Sequence, residues 1–184
     1  MQVIKTPIEG LLIIKPRVFA DARGFFLESY NEARYREAGV DAAFCQDNLS
    51  KSQYGVIRGL HYQLAPHSQS KLVSVVQGVV WDVAVDLRSG SPTYGQWYGV
   101  ELNDVERTQF FVPKGFAHGF SVLSETAVFS YKCDDLYNPS LERGIMYNDS
   151  SLNIDWKVPA DKALISDKDL KHPLFADAEK NFSL

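Results

Sequence analysis

From Phe44 to Val128 the chain runs as a succession of short β-prone segments, with turn residues between them and no helical periodicity. Lys71 to Leu87 is the clearest of them. Trp81, Val83, Val85 and Leu87 alternate with Asp82, Ala84 and Asp86, as on a strand whose successive side chains point to opposite faces. Gly78 and the cluster Arg88-Ser89-Gly90-Ser91-Pro92 punctuate it. Gln96 to Leu102, Thr108 to Val112, Gly119 to Leu123 and Thr126 to Lys132 follow. Short strands with a turn every ~8–12 residues close as an all-β sandwich or barrel. Helical patterns between the strands would be needed for a βαβ fold, and they are missing. At 184 residues the chain is long enough for one domain, 1–184, with a sizeable core.

The flanks add less. Val3 to Pro16 reads as two short strands broken at Glu9-Gly10. Asp21 to Tyr30 reads as a turn and a strand, with Phe26, Glu28 and Tyr30 on one face. Asn31 to Gly39 reads as a short surface helix, capped by Asn31 and closed by Gly39. The tail after Tyr137 is polar and turn-rich, with a short helix or turns near Ser166 to Leu170.

A net charge of −4 argues against a general nucleic-acid surface but leaves room for a local basic pocket that selects an anion. The two cysteines, Cys45 and Cys133, form no CxxC pair and read as free thiols in a reducing cytoplasm. The N-terminus lacks the pattern of a signal peptide, and no apolar run approaches the ~18 residues of a spanning helix.

The chemistry concentrates in Gly55 to Leu72, GVIRGLHYQLAPHSQSKL, which holds Arg58, His61, His67 and Lys71. An imidazole is the usual side chain for proton transfer at neutral pH, although a lone histidine on a strand is more often structural. Lys71 shares strand parity with Val73 and Val75, and an inward ammonium is costly unless it meets an anion. Arg58 lies three residues before His61, so a regular strand puts them on opposite faces; a bulge at Gly59 would relax that. A second stretch, Pro113-Lys114-Gly115-Phe116-Ala117-His118-Gly119-Phe120, resembles the second motif of the cupin barrel. Metal cupins pair that motif with an earlier His-x-His, and here the place reads His61-Tyr62-Gln63. The second imidazole is missing, so that three-histidine metal site cannot be assembled. Tyr131 shares parity with Ala127 and Phe129; its phenol is either a proton donor or a packed core group with its hydroxyl bonded. Asp169, in Ser166-Asp167-Lys168-Asp169, is a carboxylate that can orient an imidazole.

Taken together, GVIRGLHYQ, QSKLVSVVQGVVWDVAVDLR, PKGFAHGFSVLS, YKCDDLYNP and the SDKD tail resemble the dTDP-4-dehydrorhamnose 3,5-epimerases, from about Asp21 to Asp169. Gln46-Asp47-Asn48-Leu49-Ser50 matches as well. The resemblance implies a cupin-like jelly roll that works without metal or other cofactor, as a homodimer in the cytoplasm. The implied substrate is dTDP-4-dehydro-6-deoxy-D-glucose, inverted at C-3 and C-5 on the way to dTDP-L-rhamnose for cell-surface polysaccharide. It implies His61 as base, Asp169 as its partner, Lys71 beside the C-4 oxygen and Tyr131 as acid on the opposite sugar face. It assigns Arg23 and Arg58 to the diphosphate and Tyr137 to the thymine. Glu28, Gln46, Asn48, His118, Glu142 and Lys168 take the other substrate contacts. An N-terminal segment crosses to the partner in that family, so Arg23 and Glu28 would serve the neighbour's site.

The nearest rivals keep the fold: an epimerase for one carbon, or a ketoisomerase, acting on a related nucleotide-linked 4-keto sugar. A non-catalytic sugar-binding cupin would not need His61, Lys71 and Tyr131 together. A metal-dependent cupin oxygenase would need the second histidine.

Overall fold

The computed structural model describes residues 1–184. Its first strands are β1 (Gln2–Lys5), β2 (Leu12–Lys15), β3 (Val18–Asp21) and β4 (Gly24–Leu27), followed by the helix α1 (Glu32–Glu37). Then come β5 (Gln46–Gln53), β6 (Ile57–Gln63), β7 (Lys71–Gln77), β8 (Val79–Asp86) and β9 (Trp97–Asn103). The chain continues through β10 (Gln109–Val112), β11 (Phe116–Val122), β12 (Thr126–Cys133) and β13 (Glu142–Gly144). All pairings between these strands are antiparallel. One sheet is ordered β1-β2-β10-β7-β12-β5 and the other β13-β6-β11-β8-β9, while β3 and β4 form a separate hairpin. The two sheets face each other as a jelly roll.

Strand parity decides what lies between the sheets. Val73 and Val75 on β7, Phe110 on β10 and Phe129 on β12 meet Val80 and Ala84 on β8 and Phe120 on β11. Each apolar side chain of this size, fully buried, stabilises the fold by ~1.5–3 kcal/mol. The expected alternation on β8 is present, but both faces are covered. Asp82 and Ala84 share the inner parity, and Asp82 is fully buried. The apolar positions Val83, Val85 and Leu87 look outward, into a second core built with Leu152, Trp156 and Ala178 of the tail and flanked by Phe175 and Phe182. A third cluster lies on the outer face of the first sheet. There Leu12, Ile14, Leu72 and Phe111 receive Tyr35 of α1 with Val40 and Ala42.

The helix forms as expected. The Asn31 side chain accepts from the Arg34 N–H at 3.2 Å, and the chain leaves the helix at Gly39 with φ +94°. The preceding stretch differs from expectation. The expected turn, at Ala22-Arg23, and the strand after it are present, but the turn closes a β3–β4 hairpin and the strand stops at Leu27, so Glu28 and Tyr30 lie beyond its end. Glu28 turns back to α1, where Arg34 donates to it at 3.0 Å and Asn31 at 3.2 Å. The hairpin pairs with neither sheet and leaves Phe26 70 % exposed, with Phe19 and Phe25 near half.

Candidate active site

The inward parity of β7 and β12 that fills the core also furnishes a pocket at one end of it. Lys71 stands on β7 in phase with Val73 and Val75, and Tyr131 on β12 in phase with Phe129. Both belong to the six-stranded sheet. His61, on β6, belongs to the five-stranded sheet opposite. A cavity of about 280 Å³ lies between them, lined also by Gln46, Asn48, Tyr137 and Glu142. An adjoining hollow of about 310 Å³ carries Arg58, His118 and Phe129 next to His61, Lys71 and Tyr131. The proton-transfer candidates thus reach one space from two walls.

Arg58 reaches that space through a bulge. His61 pairs with His118 and Arg58 with Phe120, so β6 spends one more residue than β11 over the same span. Gly59 sits there with φ +139°, and a Cβ on it would come within 2.6 Å of the Gly119 Cα. Only glycine fits, and the extra residue brings Arg58 and His61 to the same side. The Arg58 Nε donates to Ser52 Oγ at 3.1 Å.

Asp169 begins a short 3-10 turn, Asp169–Lys171, and its Oδ1 lies 2.8 Å from His61 Nε2. Its Oδ2 accepts from the Gly59 N–H at 3.4 Å. Burial pushes this carboxyl up, but the His61 hydrogen bond and charge outweigh it, and its pKa ends below the usual carboxylate range. An ionised Asp169 accepts from the Nε2–H of His61 and leaves Nδ1 as the basic nitrogen. Burial pushes the Tyr131 phenol up, which keeps it protonated at neutral pH. Burial pushes the Lys71 ammonium down, with Cys133, Asp82 and Glu142 working against the shift. Its Nζ sits 5.9 Å from the centre of the Tyr131 ring.

The rim is a hydrogen-bonded chain. Glu142 Oε2 accepts from Lys168 Nζ at 2.6 Å and from the Tyr137 hydroxyl at 2.7 Å. The Tyr137 N–H donates to Gln46 Oε1 at 2.9 Å, and Gln46 Nε2 to Asn48 Oδ1 at 3.1 Å. Burial works against the Glu142 charge, yet Lys168 and Tyr137 bring its net pKa down.

Three residues fall elsewhere. His67 lies outside the pocket, against Asp135 at 3.3 Å, because the turn after β6 carries it to the surface. Arg23 pairs with Asp21 at 2.6 Å on the exposed hairpin, and Glu28 pairs with Arg34. Within one chain neither reaches the pocket. Asp82 escaped the sequence reading: its carboxylate holds His118 Nε2 at 2.9 and 3.0 Å. Its signal was an acid in phase with Val80 and Ala84, with apolar residues on either side from Val79 to Val85.

The family model for dTDP-4-dehydrorhamnose 3,5-epimerase matches residues 5–177. The dTDP-4-dehydrorhamnose 3,5-epimerase of Shigella flexneri is 52% identical over 180 residues, 97% of this chain and 98% of the relative. The crystal structure of the enzyme of that name from Elizabethkingia anophelis NUHP1 superposes with a TM-score of 0.92 at 55% identity, covering 96% and 97% of the two chains. The dTDP-6-deoxy-D-glucose-3,5-epimerase of Legionella pneumophila Philadelphia 1, in complex with dTDP-4-keto-L-rhamnose, also gives 0.92, at 51% identity over 96% and 93%.

Proposed function

The chain belongs to the dTDP-4-dehydrorhamnose 3,5-epimerase family, and from that membership we propose how its two-walled pocket works as an isomerase. The reaction is inversion of C-3 and C-5 in dTDP-4-dehydro-6-deoxy-D-glucose, giving dTDP-4-dehydro-L-rhamnose. Both carbons are α to the C-4 ketone, so loss of either proton gives an enolate that the ketone itself stabilises. Rhamnose supply for cell-surface polysaccharide is its pathway role, and the cytoplasm its place.

The observation that carries this reading is the placement of His61 and Tyr131 on opposing sheets around one cavity. Inversion requires a proton to leave one face of the sugar and another to arrive at the opposite face. His61 Nδ1 takes the first, with Asp169 holding Nε2–H. Tyr131, kept neutral by burial, delivers the second. Lys71 stands by for the oxyanion at C-4, an electrostatic aid of the kind worth ~3 kcal/mol. A charge that burial disfavours gains most when an anion forms beside it.

Arg58 binds the diphosphate and Tyr137 the thymine. Gln46, Asn48, His118, Glu142 and Lys168 take the other substrate contacts. Arg23 and Glu28 are assigned to the neighbour's site in a homodimer, and the exposed phenylalanines of the β3–β4 hairpin support that assignment. The chain folds as one domain over 1–184.

Incubation with dTDP-4-dehydro-6-deoxy-D-glucose in deuterated water, followed by NMR, tests the reading. Deuterium is expected at both C-3 and C-5. Label at one carbon alone makes this a single-carbon epimerase, and label at neither overturns the assignment.

A further inference from the structure

His172 has no part in the roles above, yet it lies against the base. It directly follows the Asp169–Lys171 turn, and its N–H donates to the Asp169 carbonyl at 3.3 Å. Its ring meets His61 edge to face, with centroids 5.4 Å apart and planes at 87°. Space for it comes from Gly144, the register partner of His61 on β13: a Cβ there would lie 2.2–2.5 Å from three His172 ring atoms. The His172 Nδ1 is buried and has no hydrogen-bond partner. Buried polar atoms are nearly always paired, so an orphaned one marks a missing partner.

One donor atom each from His61, Asp169 and His172 lie within 4.8 Å of one another. Two imidazoles and a carboxylate form a borderline-soft donor set, suited to Zn²⁺ rather than to Mg²⁺ or Ca²⁺. With bonds of ~2.0–2.2 Å, donors around a tetrahedral Zn²⁺ stand ~3.3 Å apart. The broad terminal torsion of an imidazole lets the rings close that gap. The ammonium of Lys168, the residue before Asp169, is already matched, because it donates to Glu142 at 2.6 Å. An ion has access through the groove of about 640 Å³ lined by His61, Lys168 and Asp169. This set differs from a cupin metal centre, which would call on His118; here His118 Nε2 is held by Asp82.

We propose that His61, Asp169 and His172 bind Zn²⁺ and that the ion inhibits the enzyme, an inference that rests on the epimerase reading above. The proton balance supplies the mechanism. In the metal-free enzyme the ring proton of His61 sits on Nε2, facing Asp169, and Nδ1 carries the free lone pair. A Zn²⁺ ion that takes the Nε2 lone pair leaves the single ring proton on Nδ1. The base is then occupied on both nitrogens and cannot accept a proton from the sugar.

The test is calorimetric titration of chelator-treated enzyme with ZnCl₂, run beside deuterium exchange into the substrate. One Zn²⁺ per chain is expected to bind with no comparable Mg²⁺ uptake, and to suppress exchange until EDTA is added. His172→Ala and His172→Phe, the second preserving the ring against Gly144, are expected to exchange normally without metal. Both should weaken Zn²⁺ binding at least ~10-fold, the loss typical of even an outer partner of a metal. Absence of Zn²⁺ binding, or affinity and inhibition unchanged in both variants, overturns the site; unchanged values would place the ion elsewhere, such as at His67 beside Asp135. Loss of exchange in the metal-free wild type would instead overturn the epimerase reading, while calorimetry still judges the metal site.

Discussion

The molecule holds two histidine–aspartate pairs whose histidines stand on the neighbouring strands β6 and β11, in a register that brings His61 directly opposite His118. The donor–acceptor distances are almost the same, 2.8 Å in His61–Asp169 and 2.9 Å in His118–Asp82. Their surroundings differ. The His61 side chain is 29% exposed, on the pocket wall, whereas His118 is 7% exposed and Asp82 fully enclosed. Burial therefore raises the Asp82 pKa and lowers that of His118, while Asp169 ends below its ordinary range. The first pair keeps a carboxylate and a nitrogen that substrate can reach. The second holds its proton between two enclosed groups and fixes β8 to β11. In the proposed mechanism the same two side chains serve proton transfer in one setting and, in the other, hold an enclosed imidazole in place at the wall of the adjoining hollow, where it meets substrate.

The largest effect should come from removing the solvent-facing pair's base. His61→Ala is expected to lower exchange at both C-3 and C-5 by ~10²–10⁴-fold, the usual weight of a positioned acid or base. Binding of the dTDP product, followed by calorimetry, should change little. Exchange retained at either carbon would remove His61 from the role of base and erase the functional half of the contrast. Tyr131→Phe should act later in the same reaction, slowing product protonation at one carbon more than wash-out of substrate hydrogen. Equal epimerisation at both carbons would place the acid elsewhere.

The aspartates allow a crossed comparison. Asp82→Ala leaves the enclosed His118 ring without its partner, and because burial keeps that imidazole neutral the expected loss is that of an unpaired buried polar group, ~1–3 kcal/mol in urea unfolding. Asp169→Asn should do the reverse: it keeps the shape, cannot stabilise the same tautomer, and should cut turnover while the unfolding midpoint stays close to wild type. Equal stability losses in the two variants would show that both pairs are structural.

The strand succession and the parity of Lys71 with Val73 are local properties, so both were legible without coordinates. So was Tyr131 beside Phe129. Asp169 was legible only through the resemblance, because nothing near Ser166 distinguishes one tail acid from its neighbours. The alternation placed Asp82 on the face opposite Trp81, Val83 and Val85 and gave no sign of its enclosure, since an alternating run normally has one wet face. The structure covers that strand twice. Its second cover comes from Trp156, Phe175 and Phe182, single apolar residues in irregular chain with no period to reveal them. The Arg58 problem had the same root. A bulge changes which face a residue occupies, and its signal, Gly59 against Gly119, is a contact between strands far apart in sequence.

The smallest effect tests whether enclosure alone decides how an aspartate behaves. Asp86 lies four residues after Asp82 on β8, and its side chain is equally enclosed. Burial again pushes its carboxyl up, but Arg88, Ser91 and Thr93 all donate to it and bring its pKa down to about 2. A carboxyl whose pKa is lower in the folded than in the unfolded chain stabilises the fold above its unfolded value, and that stability disappears as pH falls through the folded value. From an ordinary value of 3.8 the shift is worth roughly 2 kcal/mol at neutral pH. Asp86→Asn should therefore lower the unfolding free energy by about that much at pH 7. The gap between variant and wild type should narrow below pH 4 and close near pH 2. For Asp82, raised on folding, the sign reverses, and ionisation as pH climbs past the unfolded value costs stability. A pH-independent gap for Asp86→Asn would mean that its donors position the loop after β8 without stabilising the charge, and that enclosure outweighs partners on this strand.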